Sequence, residues 1–248
     1  MHADAVADLL DQVSTAVQRQ LRGPSDGALS GRRDGQYQLD VRADGAVVPL
    51  LLDAGFGVLS EESGLHHGDR DVIVVVDPVD GSTNAARGIP FSACSMCAVD
   101  RDGPWVSTVV DLVRGVTYRA VRGGGATRDG VPIRVAMPVG LGDAVVGVNG
   151  WSSIPPPCAQ IRSLGSAALE LALVADGSLD AFVNLDLDGH GAWDYLGAML
   201  IVEEAGGSVG EMTGRELVTL GHADRREIVA ASSPELRGEI VAAWAVRT

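Results

Sequence analysis

Lysine is absent from the 248-residue chain; all 19 basic positions are arginine, which excludes chemistry built on a lysine amine. Positive charge is scarce altogether, since 33 acids leave a formal net charge of −14. Such a field repels phosphate backbones and anionic lipid surfaces, so nucleic acid and membranes are poor partners unless cations intervene. Bound cations therefore become something to look for. Cys94, Cys97 and Cys158 are too few, and odd in number, for a disulfide framework, and they fit a reducing compartment. No apolar run approaches the roughly 20 residues of a membrane span, and Asp4 and Asp8 stand where a secretory signal would be basic. The expectation is a soluble, cytoplasmic protein.

What is present is a hydrophobic share of 46%, enough for a sizeable core. Ala5 to Leu21 sets Val6, Leu10, Val13 and Val17 at helical spacing and predicts an amphipathic opening helix. Beyond a polar turn, Ala46 to Leu52 reads as a second helix and Phe56 to Ser60 as a short strand running into Glu61. Val72 to Val76 is a β-branched run of the kind buried on both faces of a sheet. Strand-like segments at Ser92 to Val99, Trp105 to Leu112 and Val116 to Val121, separated by turn residues, follow as an antiparallel meander. The second half alternates instead: strand Ala144 to Val148, helix Ser166 to Ala175, strand Leu179 to Val183, helix Trp193 to Ala205, strand Ile228 to Ala231 and helix Glu235 to Val246. This predicts an α/β (α+β) unit over 1–248, with an N-terminal half at 1–140, a layered C-terminal half at 141–248, and Pro155 to Pro157 as the linker candidate.

The sharpest local signal is Asp77-Pro78-Val79-Asp80-Gly81-Ser82-Thr83-Asn84, directly after the buried strand. Carboxylates at the carboxyl end of such a strand sit where ligands bind in α/β folds. Gly81 lets the backbone approach a ligand, and Ser82-Thr83-Asn84 offers an N-cap whose amides can hold a phosphate. Glu61-Glu62 at another strand end and Asp194 just inside a helix complete an acidic set suited to Mg²⁺, a hard cation that prefers oxygen ligands. Each motif alone is more simply a surface turn or a helix-terminal acid; their joint occurrence points to one site.

With Leu59-Ser60-Glu61-Glu62-Ser63, the Asp77 segment, Arg162-Ser163-Leu164-Gly165-Ser166-Ala167-Ala168, Trp193-Asp194 and Glu204-Ala205-Gly206-Gly207 in that order, the chain resembles the inositol monophosphatase family of lithium-sensitive sugar and inositol phosphatases. The resemblance implies a layered α-β-α-β-α sandwich, a homodimer, and two or three Mg²⁺ ions. By position, Glu61, Asp77, the carbonyl of Val79, Asp80 and Asp194 would be metal ligands, and Asp80, Gly81, Ser82 and Thr83 would meet the phosphate. Ser82, where threonine is commoner, would orient a metal-activated water, with Glu61 also in the catalytic set and Asp44 as the acid bonded to the Ser82 hydroxyl. The expected activity is hydrolysis of a small phosphorylated polyol or sugar. Fructose bisphosphate, histidinol phosphate, an adenosine bisphosphate and an aminocyclitol phosphate are alternatives on the same machinery, and a non-catalytic cation-binding regulator is the alternative class. Asp186, Asp188, His190 and Arg162 are the candidate recognisers of the rest of the substrate.

Three other signals carry less. Cys94-Ser95-Met96-Cys97 has redox spacing, yet residues three apart in a strand face opposite sides. Asp186-Leu187-Asp188-Gly189 imitates an aspartyl-nucleophile motif, but His190 stands where threonine or valine is needed. His66 and His67 fit a solvated loop better than a set of hard oxygen ligands.

Overall fold

Alternation along the strand after Asp71 decides the architecture. A computed structural model describes residues 2–21, 27–32, 35–151 and 157–244. Here β1 (Gly57–Ser60), β2 (Gly64–His66), β3 (Ile73–Asp80), β4 (Ala93–Asp100), β5 (Gly103–Asp111), β6 (Thr117–Val121), β7 (Gly125–Arg128) and β8 (Val131–Pro132) form an eight-stranded sheet in the order β2-β1-β3-β4-β5-β6-β7-β8. Every residue of β3 is buried. Val74 and Val76 pack with Cys94, Met96 and Ala98 against α1 (Ala3–Leu21) and α2 (Gln38–Asp53). Val75 and Cys97 face the other way, onto α4 (Ala167–Ala175) and α5 (Ala192–Glu204). The two thiols thus lie in separate cores, and burial pushes both up to about 12.

Helices α4 and α5 are sandwiched because a second sheet covers them. It contains β9 (Val145–Asn149), β10 (Gln160–Arg162), β11 (Ala181–Asn184), β12 (Ser208–Glu211) and β13 (Ile228–Ala231) in the order β10-β9-β11-β13-β12. Its outer face is closed by α6 (Pro234–Trp244) through Leu236, Ile240 and Trp244. The layers therefore run helix, sheet, helix, sheet, helix, as expected. The middle helices are apolar nearly all round, because both flanks face a sheet. The opening helix is one-sided: Val6, Leu10, Val13 and Val17 are fully buried, each contributing about 1.5–3 kcal/mol.

Several expectations are corrected. The second helix begins at Gln38 rather than Ala46, because Leu39, Ala43, Val47 and Leu51 carry one buried stripe through the acids and Gly45. The strand before the acidic motif continues through Asp80, with a bulge between Asp77 and Asp80. The short edge strands β2, β8 and β10 carry no apolar alternation and were not expected; neither were β7 and β12. Pro155 and Pro156 of the linker candidate lie outside the described residues.

Helix α5 meets β4 so closely that a Cβ on Gly197 would stand 2.8 Å from Ser95 Oγ and 3.1 Å from the Met96 carbonyl. Gly197→Val should therefore lower the unfolding free energy by about 1–3 kcal/mol. Urea denaturation measures this, and an unchanged midpoint would contradict the close contact.

Candidate functional site

Three backbone devices bring the acids together. Parallel pairing of β1 with β3 sets Ser60 opposite Val76, so Glu61, just past β1, lies beside Asp77 within β3. The Glu61 amide donates to the Val76 carbonyl at 3.1 Å, which holds that placement. Asp194 arrives from the first turn of α5, where its Oδ2 accepts from the Gly191 amide at 2.8 Å. One carboxylate oxygen from each of Glu61, Asp77 and Asp194 then lies within 4.8 Å of the others.

The electrostatics follow from that crowding. Asp77 is held well above the usual carboxylate range by burial first, then by Glu61, Asp80 and Asp194. Asp194 is raised likewise by burial, with Glu61 and Asp80 adding to it. Ionised together, these carboxyls would need a positive partner, and the all-oxygen donor set fits a hard divalent cation.

Asp80 stands beside the three rather than among them. Its Oδ2 accepts from Ser166 Oγ at 2.6 Å and from the Ala168 amide at 2.7 Å, at the N-terminus of α4. Burial raises it to about 6 against the pull of those two bonds. Val79 is buried, and its amide donates to Asp77 Oδ1 at 2.9 Å, which fixes the turn between the two aspartates. Gly81, with φ +88°, caps the short helix α3 (Ser82–Arg87), so Ser82 and Thr83 occupy its first turn. A Cβ on Gly81 would meet the Gly165 carbonyl at 2.9 Å. Asn84 Nδ2 bridges the same contact, donating to the Leu164 carbonyl at 2.7 Å and to the Phe91 carbonyl at 2.9 Å.

Other candidate residues lie outside the three-acid cluster. Asp44 does not meet Ser82: it lies on α2, facing the turn between β1 and β2, and accepts from Ser60 Oγ and from Ser63 Oγ at 3.2 Å. It braces the glutamate turn instead. Of the glutamate pair only Glu61 joins the cluster, while Glu62 accepts from Gln36. Asp186 and Asp188 are exposed, and Asp186 Oδ1 takes the Asp188 amide to close their own turn. His190 is a wall residue: its ring stacks on Phe182 with centroids 6.2 Å apart and its Nε2 meets Asn149 at 2.9 Å. Burial lowers it to about 4, so it is neutral. Arg162 is exposed on β10, bonded to the Ile161 carbonyl and Gln160. His66 ends strand β2 and is half-buried, against the loop expected there, while His67 just beyond it is exposed; Trp151 is 89% exposed.

Four further residues stand around the acids without a local motif that marks them as part of the site. Asp40 is a buried carboxylate in the first turn of α2; it accepts from the Tyr37 amide, and the Tyr37 hydroxyl lies 3.4 Å from Thr83 Oγ1. Its spacing four residues before Asp44 was the available clue. Ser166 is legible as an N-cap, but not as the donor to Asp80. Glu170, buried under the Leu164–Gly165 loop, is raised to about 7 by its burial. His222 donates through Nε2 to the Glu61 carbonyl at 2.9 Å, and no local motif announces it.

Fold and site together define a five-layered α/β protein with a carboxylate centre suited to divalent cations. The sequence model of the inositol monophosphatase family matches residues 3–246, and the chain belongs to that family. An inositol-1-monophosphatase of Mesorhizobium japonicum is 35% identical over 205 residues, covering 75% of this chain and 76% of its own. The Nus factor SuhB of Escherichia coli strain K12 is 31% identical over 201 residues, covering 74% of each. The crystal structure of the extragenic suppressor protein SuhB from Bartonella henselae superposes with a TM-score of 0.82 at 28% identity, covering 98% of this chain and 100% of that one.

The raised carboxyls make a pH prediction. A carboxyl with a raised folded-state value stabilises the fold below its unfolded value and loses that contribution as pH climbs through the folded one, here about 6 for Asp80 and about 7 for Glu170. The metal-free protein should therefore melt at a lower temperature at about pH 8 than at about pH 5. Mg²⁺ should restore more stability at the higher pH, where the carboxylates are ionised. Differential scanning calorimetry decides it; a Mg²⁺ effect independent of pH would be the contrary result.

Proposed function

We propose that this protein is a Mg²⁺-dependent phosphomonoesterase acting on a small phosphorylated polyol or sugar. The observation that carries the reading is the convergence of Glu61, Asp77 and Asp194 within 4.8 Å in a partly buried setting. Those three, with Asp80 and the carbonyl of Val79, would hold the cation or cations. When bound, Mg²⁺ neutralises phosphoryl oxygens and lowers the pKa of a water for attack on phosphorus.

The chain's own residues do the rest. The phosphate enters where α3 begins, against the amides of Gly81, Ser82 and Thr83. The Ser82 hydroxyl accepts a hydrogen bond from the attacking water and aims it in line with the leaving oxygen. Asp80 is anchored through its Oδ2 by Ser166 and Ala168, which fixes its carboxyl beside the three acids. Asn84 and the Gly81–Gly165 contact hold the phosphate-binding turn against the C-terminal half, so the pocket is preorganised rather than assembled by the substrate.

A second reading is favoured by one observation, the relatives named Nus factor SuhB: a regulatory role on the same scaffold. The two separate in one assay. Phosphate release from inositol monophosphate, fructose bisphosphate, histidinol phosphate and an adenosine bisphosphate, with and without Mg²⁺, should show hydrolysis of at least one ester that vanishes on metal removal. Glu61→Gln and Asp77→Asn should each lower kcat by about a thousandfold or more, the scale of losing preorganised charge stabilisation. A flat panel from protein that still binds Mg²⁺ would favour the regulatory reading, and activity unchanged in Glu61→Gln would defeat the mechanism.

A further inference from the structure

The loop between β12 and β13 reaches over the carboxylate centre from the C-terminal sheet. His222 lies on it, and its Nε2 donates to the Glu61 carbonyl at 2.9 Å across 161 residues of chain. The same ring lies against Trp193, with centroids 4.9 Å apart and planes tilted by 33°. Trp193 directly precedes Asp194, and its own carbonyl takes a buried hydrogen bond from Ser95 Oγ of β4 at 3.0 Å. One imidazole thus touches the backbone of one cluster residue and the neighbour of another, although the two come from opposite halves of the chain.

The loop is built to hold that ring still. Arg225 Nη1 donates to the carbonyls of His222 and Asp224, each at 2.9 Å, and its guanidinium lies 5.0 Å from the centre of the Trp193 ring. Thr219 closes the other side by donating to Asp224. Backbone bonds between His190 and Arg226, at 2.8 and 2.9 Å, fasten the end of the loop to the segment leading into α5. A loop serving only as a connection has no need of this bracing.

We propose that His222 is a positioning residue for the carboxylate centre: its bond to Glu61 and its stack on Trp193 fix the Glu61 turn against Asp194, and divalent-cation affinity depends on that fixation. The inference rests on the metal-site reading above. Its physical basis is that three like-charged carboxylates repel one another, so without a brace the glutamate turn relaxes outward and binding must first recover the geometry. Loss of the hydrogen bond and the ring contact together corresponds to about a tenfold or greater change in affinity.

The test is calorimetric titration of the metal-free protein with Mn²⁺ and with Mg²⁺, alongside amide hydrogen exchange at Glu61 and Glu62 before metal is added. His222→Ala should raise the dissociation constant about tenfold with stoichiometry unchanged, and speed exchange at the glutamate turn. His222→Gln, which keeps a donor, and His222→Phe, which keeps the ring, should each recover part of the loss, and they carry the test if His222→Ala does not fold. A role confined to folding would lower the melting temperature while leaving affinity and local exchange at wild-type values, and that result overturns the proposal. Wild-type protein that binds neither cation would instead sink the metal-site reading itself.

Discussion

Mutual repulsion among Glu61, Asp77 and Asp194 is the constraint around which the rest of the molecule is organised. Three carboxylates brought this close in a partly dehydrated pocket oppose the folded state, and burial raises the proton affinity of Asp77 and Asp194. Such an arrangement persists only if the scaffold over-determines it. The packing of the two sheets supplies that scaffold, because it holds the three acids close without help from one another.

That packing supplies stiffness from several directions. β3 is buried along its whole length and delivers Asp77 and Asp80 from the centre of the large sheet. α5 is pressed against β4, where a side chain at Gly197 would crowd Ser95 and Met96, and presents Asp194 from its first turn. α4 holds Asp80 at its N-terminus. Asp44, Ser60 and Ser63 brace the glutamate turn from α2, and His222 from the opposite sheet. The centre lies where both halves meet, and no single helix or strand could present it alone.

Much of this was legible beforehand. The β-branched run Val72 to Val76 announced a buried strand, and the one-sided stripe of α1 and the longer apolar runs of α4 and α5 announced helices, because buried elements carry apolar residues at their own period or all round. The start of α2 was not legible: Gly45 and two aspartates masked a stripe of single apolar residues, and only contact with β1 and β3 reveals which face is buried. The edge strands β2, β8 and β10 were missed because an exposed edge needs no alternation. In the site, the three acids that converge, Glu61, Asp77 and Asp194, stand in contiguous motifs. Those missed or misplaced, Asp40, Glu170, His222 and the partner of Asp44, depend on distances between segments far apart in sequence.

By itself, the sequence determined the layered class, the family resemblance and the identity of the acids, since hydrophobic period and short motifs are local properties of a chain. Tertiary structure alone decided which acids converge, which oxygen of Asp80 is taken by α4, that His190 packs as a neutral ring, and that His222 closes on Glu61. Those outcomes are set by dehydration and by hydrogen bonds formed across the fold, and neither exists until the two sheets have closed on the helices between them.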